Sequence, residues 1–341
     1  MANKTSFGLH LTTRASTLMS QGDPNITHAM THGSVLQLAE IADQERIFSS
    51  VWIGDNIIVA PRIGFLSAIS AVAARTKRVM LGTSCLSSFA LWHPIMLALE
   101  WASLDLISSG RTIMVPCLGN SPTASGGEKN KALWEAFGID SKERIGRFEE
   151  GIEVIRGLWT HDEFSYDGKY YKLKDVNLMV KPLQTPPPIW IANHPVHITD
   201  KKVAERSARR LARLADGWVV ADSPPDEFVE WRDWILKLGK EEYQRDLSHF
   251  QTCFVARFNI KSNKESAFKE GATFGSQYMR YEYTPRRAER YLYLHGNADD
   301  VIKGIEKILE VQPTYIDLQA AGVDQMSQFR KLMSDVLPSF S

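Results

Sequence analysis

The sequence predicts an α/β fold, a (β/α)8 barrel, on three observations. Short apolar runs rich in β-branched and aromatic residues alternate with longer helix-patterned stretches along the 341-residue chain. The alternation yields eight strand-then-helix units, the number a closed parallel barrel requires. No glycine fingerprint follows the first strand, which removes the main argument for a doubly wound sheet.

The first strand is read at residues 7–11, with a helix near 34–46. The second strand is read at 51–54, with a helix near 65–75. The third lies at 79–82, and Pro94 opens its helix at a position where a missing N–H costs nothing. The fourth strand is read at 112–115 and its helix comes late, near 141–159. There Ile145, Phe148, Ile152, Ile155 and Trp159 form one apolar stripe. A hairpin excursion follows at 164–171, signalled by Asp167-Gly168 between aromatic flanks.

The fifth strand is read at 189–192, after Pro186-Pro187-Pro188, with a helix at 201–215. At the end of the sixth strand, 218–221, Ser223 is expected to cap a helix with Pro224 at its first position and Asp226 three residues on. The seventh strand spans 252–260, followed by a capping box of Ser262 and Glu265. The eighth strand is placed at 315–318, and an amphipathic helix at 324–337 closes the chain. Residues 1–341 thus read as one domain. Segment 279–297, rich in arginine and tyrosine, shows no periodicity and reads as a lid inserted between strands seven and eight.

Composition excludes several functions. Lys+Arg and Asp+Glu are 40 each, so no net basic charge marks a nucleic-acid or anionic-membrane partner. The start of the chain lacks the pattern of a signal peptide, and no apolar run reaches the roughly 20 residues of a bilayer span. Cys85, Cys117 and Cys253 are few, odd in number and far apart. That argues against a disulfide framework and for a reducing cytoplasm. Cys85 and Cys117 are accordingly read as small apolar fillers.

No covalent-nucleophile motif, Walker loop or H-E-x-x-H pattern occurs. His194-x-x-His197-x-x-Asp200 does not match a zinc spacing, so no metal is expected. The informative residues fall at strand ends: Asp55 and Asn56 after strand two, and Thr83, Ser84 and Cys85 after strand three. Asn120 follows strand four, and Ala192, Asn193 and His194 follow strand five. They supply one carboxylate with several amides and hydroxyls but no evident acid–base pair. Such a set suits a polar heterocycle whose own chemistry drives the reaction.

Five stretches in order carry a resemblance. They are Ser50-Ser-Val-Trp-Ile-Gly-Asp-Asn56, Leu104-Asp-Leu-Ile-Ser-Ser-Gly-Arg111, Arg147-Phe-Glu-Glu-Gly-Ile-Glu-Val-Ile-Arg-Gly-Leu-Trp159 with Tyr166-Asp-Gly-Lys-Tyr-Tyr171, Pro187-Pro-Ile-Trp-Ile-Ala192, and Arg213-Leu-Ala-Asp-Gly-Trp218. Together the chain resembles the bacterial-luciferase-like flavin monooxygenases along nearly its whole length. The resemblance implies a non-covalent flavin at the C-terminal mouth of the barrel, its ring against Asp55, Asn56 and 83–85, and a non-proline cis peptide around 84–86. It places the phosphate near Ala192, Asn193, His194 and Pro195. Three departures stand out: Val115-Pro-Cys-Leu-Gly119 where relatives carry three glycines, Asn56 where many carry histidine, and Pro195 in the phosphate loop.

The function adopted from sequence is a two-component monooxygenase. It uses reduced FMN from a separate flavin reductase, and O2, on a small organic substrate. Asn56, Arg257 and Tyr281 are its candidate catalytic residues. The alternative is a hydride-transfer enzyme using a deazaflavin coenzyme, for which Lys201, Lys202, Arg206, Arg209 and Arg210 offer a cationic groove. A non-catalytic flavin-binding barrel is the third reading. The resemblance also implies a homodimer or tetramer, with which the apolar helix at 65–74 agrees.

Overall fold

The computed structural model describes residues 5–13, 32–57, 62–119, 127–194, 200–279, 285–322 and 324–340. Its strands are β1 (Ser6–Leu11), β2 (Phe48–Ile53), β3 (Met80–Thr83), β4 (Thr112–Ile113), β5 (Phe164–Asp167), β6 (Lys172–Val176), β7 (Trp190–Ala192), β8 (Gly217–Ala221), β9 (Gln251–Ile260), β10 (Leu294–Gly296) and β11 (Tyr315–Ala320). Its helices are α1 (His32–Gln44), α2 (Phe65–Arg75), α3 (Pro94–Ser108), α4 (Gly127–Ala136), α5 (Arg144–Thr160), α6 (Lys201–Leu214), α7 (Pro225–Glu241), α8 (Lys264–Met279), α9 (Pro285–Tyr291), α10 (Ala298–Glu310) and α11 (Gln325–Lys331).

The main sheet runs β4-β3-β2-β1-β11-β9-β8-β7, with every pairing parallel. The two ends of that path meet. Met114 bridges Ile189, and Trp190 N–H donates to the Met114 carbonyl at 2.8 Å while Ala192 N–H donates to Pro116 at 3.0 Å. The eight parallel strands expected from sequence therefore form the ring, and the helices surround it.

Strand alternation sorts the side chains into two cores. In β1, Phe7, Leu9 and Leu11 pack outward into the layer between ring and helices. A separate cluster fills the lumen: Trp52, Ile113, Val115, Trp190, Ala192, Val219, Ala221, Cys253 and Val255. Trp52 and Trp190 lie 5.9 Å apart between ring centroids, and Tyr315 packs at 5.9 and 5.8 Å from them. Gly8, Gly82 and Gly217 make this possible, because a Cβ at any of them would collide with one of the two indoles. The lumen is thus plugged by aromatic rings, and any ligand site must lie above them, at the C-terminal rim.

The motif at 104–111 is a structural clamp. Ser109 and Gly110 turn the chain with φ of 60° and 76°, a left-handed pair that stops α3. Buried Asp105 accepts from the Thr112 hydroxyl at 2.6 Å and the Gln184 N–H at 2.9 Å. Arg111 donates to the carbonyls of Ser108, Val79, Thr76 and Ala73. The hairpin β5–β6 is anchored to α5 by Glu150, which accepts from the N–H groups of Lys169, Tyr170 and Tyr171.

Several sequence expectations are corrected. Pro224, not Ser223, occupies the cap position of α7, and the Ser223 hydroxyl has no partner among the described residues. Asn263, not Ser262, caps α8, accepting from Ser266 N–H at 2.9 Å. Part of the expected lid is regular: α9 is followed by β10, which pairs in parallel with β9. Asn297 and Asp300 then form a reciprocal capping box that starts α10, a helix the sequence reading passed over. The last helix is shorter than expected and continues as a π turn, Leu332–Val336. The apolar face of α2 (Phe65, Ala68, Ile69, Val72 and Ala73) is buried inside the chain, so it is not free to join subunits. No helix among the described residues is long and apolar enough to cross a membrane.

Candidate functional site

The rim above the aromatic plug is assembled from six strand ends. Asp55, just past β2, is buried. Its N–H donates to the Cys85 carbonyl at 3.2 Å, and its Oδ2 accepts from Ser88 N–H at 2.8 Å. The Ser87 hydroxyl donates to the Asp55 carbonyl at 2.8 Å. Burial pushes the Asp55 carboxyl above its ordinary value, opposed by the Ser88 and Ser87 hydrogen bonds and the Arg62 charge. The expected non-proline cis peptide is present, between Ser84 and Cys85. Asn56 sits beside Asp55, half-buried.

Two expectations on strands β3 and β4 change. Thr83 follows lumen-facing Gly82 and so faces away from the lumen. It is fully buried, and Val115 N–H donates to its hydroxyl at 2.9 Å, tying β3 to the chain after β4. Cys85 and Cys117 are not apolar fillers. They form a disulfide with Cα atoms 6.1 Å apart, linking the ends of β3 and β4 at the rim. The sequence count of three cysteines could not reveal this pair, because only the parallel register brings positions 32 apart together. Cys253 remains free and buried in the lumen.

After β7, Asn193 N–H donates to the Val219 carbonyl at 3.1 Å, and its own carbonyl accepts from the Trp218 indole at 3.1 Å. Ala221 N–H donates to His194 Nδ1 at 2.9 Å. A backbone N–H can only donate, so the neutral His194 ring carries its proton on Nε2. Ala192 faces the lumen. Arg257 on β9 is buried, donates to Gln319 at 2.7 Å, pairs with Asp222 and stacks 4.3 Å from the Tyr291 ring centroid. Its charge is matched within the site. Asn120 and Tyr281 lie outside the described residues, as do Arg280, Tyr283 and His197.

The sequence reading missed one constellation. His10 on β1 and Asp317 on β11 meet inside the ring, Nδ1 to Oδ2 at 2.9 Å, both buried. The signal was present: each is a polar residue between apolar neighbours of its strand, and buried polar groups need a reason. Their 307-residue separation hid the pairing.

Most buried polar groups in folded proteins find a partner. Here, unpartnered buried atoms gather at this rim: His10 Nε2, Thr12 Oγ1, Asn193 Nδ2, Ser223 Oγ, Asn259 Oδ1 and Asp317 Oδ1. Among them are an amide donor, carbonyl- and carboxylate-type acceptors and two hydroxyls that can serve as either. That matches the edge of a heterocycle carrying both carbonyl and N–H groups, so the residues fit a flavin-type ring.

The model of the luciferase-like monooxygenase family matches residues 5–307. The chain belongs to that family. Within it, this luciferase-like barrel is 37% identical over 317 residues to an F420-dependent glucose-6-phosphate dehydrogenase of Amycolatopsis mediterranei, covering 85% of this chain and 89% of that one. It is 32% identical over 231 residues to the oxygenase component of a flavin-dependent trigonelline monooxygenase of Acinetobacter baylyi, covering 66% and 55%. Among solved structures it superposes on an F420-dependent secondary alcohol dehydrogenase in complex with an F420-acetone adduct. The TM-score is 0.75 at 16% identity, covering 99% of both chains. A monooxygenase of Streptomyces bottropensis gives 0.74 at 21% identity, covering 99% and 100%. The luciferase-like barrel is an oxidoreductase fold whose relatives use flavin or the deazaflavin F420.

Proposed function

We propose that this luciferase-like barrel is a deazaflavin-dependent oxidoreductase interconverting a small alcohol and its carbonyl form. The relative at 37% identity, matched over most of both chains and deazaflavin-dependent, carries this reading. It displaces the preference for FMN drawn from sequence. When bound, the deazaflavin supplies a two-electron hydride acceptor. Asp55, Asn56, Ser84 and Cys85 are assigned to the ring, with Asn193 Nδ2 as a donor to it. Ala192 and His194 border the tail. The disulfide and the Ser87–Asp55–Ser88 hydrogen bonds hold the rim in one shape before the coenzyme arrives, which lowers the ordering cost of binding.

The oxygenase reading with FMN, O2 and a separate reductase is favoured by the trigonelline monooxygenase component, which matches over a shorter span. One experiment separates them. The protein is titrated anaerobically with oxidised deazaflavin and with FMN, then offered glucose 6-phosphate and 2-propanol as probe alcohols. In parallel, oxygen uptake is followed with reduced FMN. Preferential deazaflavin binding, with bleaching of its visible absorbance by a probe alcohol, is expected. FMN-dependent oxygen uptake without deazaflavin binding contradicts the proposal.

A further inference from the structure

We infer that His10 is the proton acceptor of this site and that Asp317 is its positioning residue. The inference deepens the alcohol–carbonyl reading above and rests on it. Asp317 Oδ2 is a buried acceptor 2.9 Å from His10 Nδ1, so the neutral ring places its hydrogen on Nδ1. Nε2 is then left with a lone pair, and no donor among the described residues reaches it. A buried lone pair without a donor awaits an O–H or N–H from a ligand. A base held in one tautomer by a carboxylate is the arrangement that general-base catalysis uses.

The other polar groups described at the rim are less suited to this role. Asn56 is an amide and holds no proton-accepting nitrogen. His194 has its Nδ1 lone pair occupied by the Ala221 N–H, so its neutral ring presents a donor. Asp55 accepts from Ser88 and Ser87 and organises the 84–88 turn. The Arg257 charge is held by Asp222 and Gln319. Among the described rim residues, His10 is the imidazole with an open acceptor.

The step balances as follows. With the coenzyme bound, the deazaflavin would accept the hydrogen and the electron pair of the substrate's C–H bond. The O–H bond breaks with its proton going to His10 Nε2, and the O–H pair becomes the second C–O bond of the carbonyl. The imidazolium that forms is stabilised by Asp317. The titratable group against the pair is Cys253 on β9, whose thiol is pushed well above its ordinary value by burial and by the Asp317 charge.

Two readouts test this. In coenzyme-free protein labelled with nitrogen-15 histidine, His10 is assigned by comparison with His10→Gln. Its proton is expected on Nδ1, with Nε2 bare. In turnover with 2-propanol or glucose 6-phosphate, His10→Gln is expected to lower kcat roughly 10²–10⁴-fold and to flatten the acid limb of the pH profile. Added imidazole restores part of the rate to His10→Ala, and Asp317→Asn lowers kcat in the same direction. A proton found on Nε2, or a His10→Gln variant that keeps the wild-type rate and pH profile, overturns the role of His10 alone. A wild type that binds no deazaflavin and turns over neither probe overturns the alcohol–carbonyl reading and the role together.

Discussion

At the scale of single residues, Asp55 links stability to pH. Its carboxyl is pushed up from the ordinary 3.8 by burial. A carboxylate whose folded value lies above its unfolded value favours folding at acid pH, and that contribution is lost as pH rises through the folded value. The difference in melting temperature, Asp55→Asn minus wild type, is therefore expected to grow as pH rises above the ordinary carboxylate range. A scan in which the difference shrinks contradicts the assignment. Gly82 makes a second residue-scale prediction. A methyl there meets the Trp52 indole, so Gly82→Ala is expected to cost about 1–3 kcal/mol in urea unfolding through overpacking.

Legibility at this scale was uneven. Asp55, Ser84, Cys85, Asn193 and His194 could be found from sequence because they follow recognisable strands, and the barrel gathers strand ends. Thr83 was placed in the site although it follows lumen-facing Gly82 by one residue, a parity that only the register fixes. His10 and Asp317 stayed hidden because each lies inside a strand, where periodicity signals burial but not a partner.

At the scale of elements, the Arg111 clamp and the Cys85–Cys117 link dominate. Arg111 closes four carbonyls from α2, the turn before β3 and the end of α3. Arg111→Ala leaves those carbonyls without their charged donor and is expected to cost about 3 kcal/mol, read by denaturant midpoint. The disulfide spans a separation of 32 residues. Chain-entropy arguments give a closed loop of that size about 3–4 kcal/mol. Reduction with dithiothreitol should lower the unfolding midpoint by an equivalent amount and weaken deazaflavin binding, since the link sits at the rim.

Elements were the most readable part of the sequence. All eight ring strands were placed within a few residues, because buried parallel strands read as short apolar runs. The miss at 298–310 has a physical cause. The helix has its own capping box, but it follows the three-residue strand β10, too short to register as a periodic unit. The caps of α7 and α8 were off by one residue, where neighbouring Ser, Asn and Pro compete for the same role.

At the scale of the whole molecule, one division of labour explains the rest. Outward strand faces join the helices into a large core, and inward faces are filled by Trp52, Trp190 and Tyr315, with unpartnered polar groups gathered above them at the C-terminal rim. Trp190→Ala removes one of those three rings and is expected to cost about 3–5 kcal/mol, measured by urea unfolding. The direct test of the account is a crystal structure of the protein soaked with oxidised deazaflavin. The account predicts ring density above the Trp52–Trp190 pair, between the Asp55–Cys85 turn and Asn193. Density elsewhere on the surface, or side chains closing the rim with no room for a ring, would contradict it.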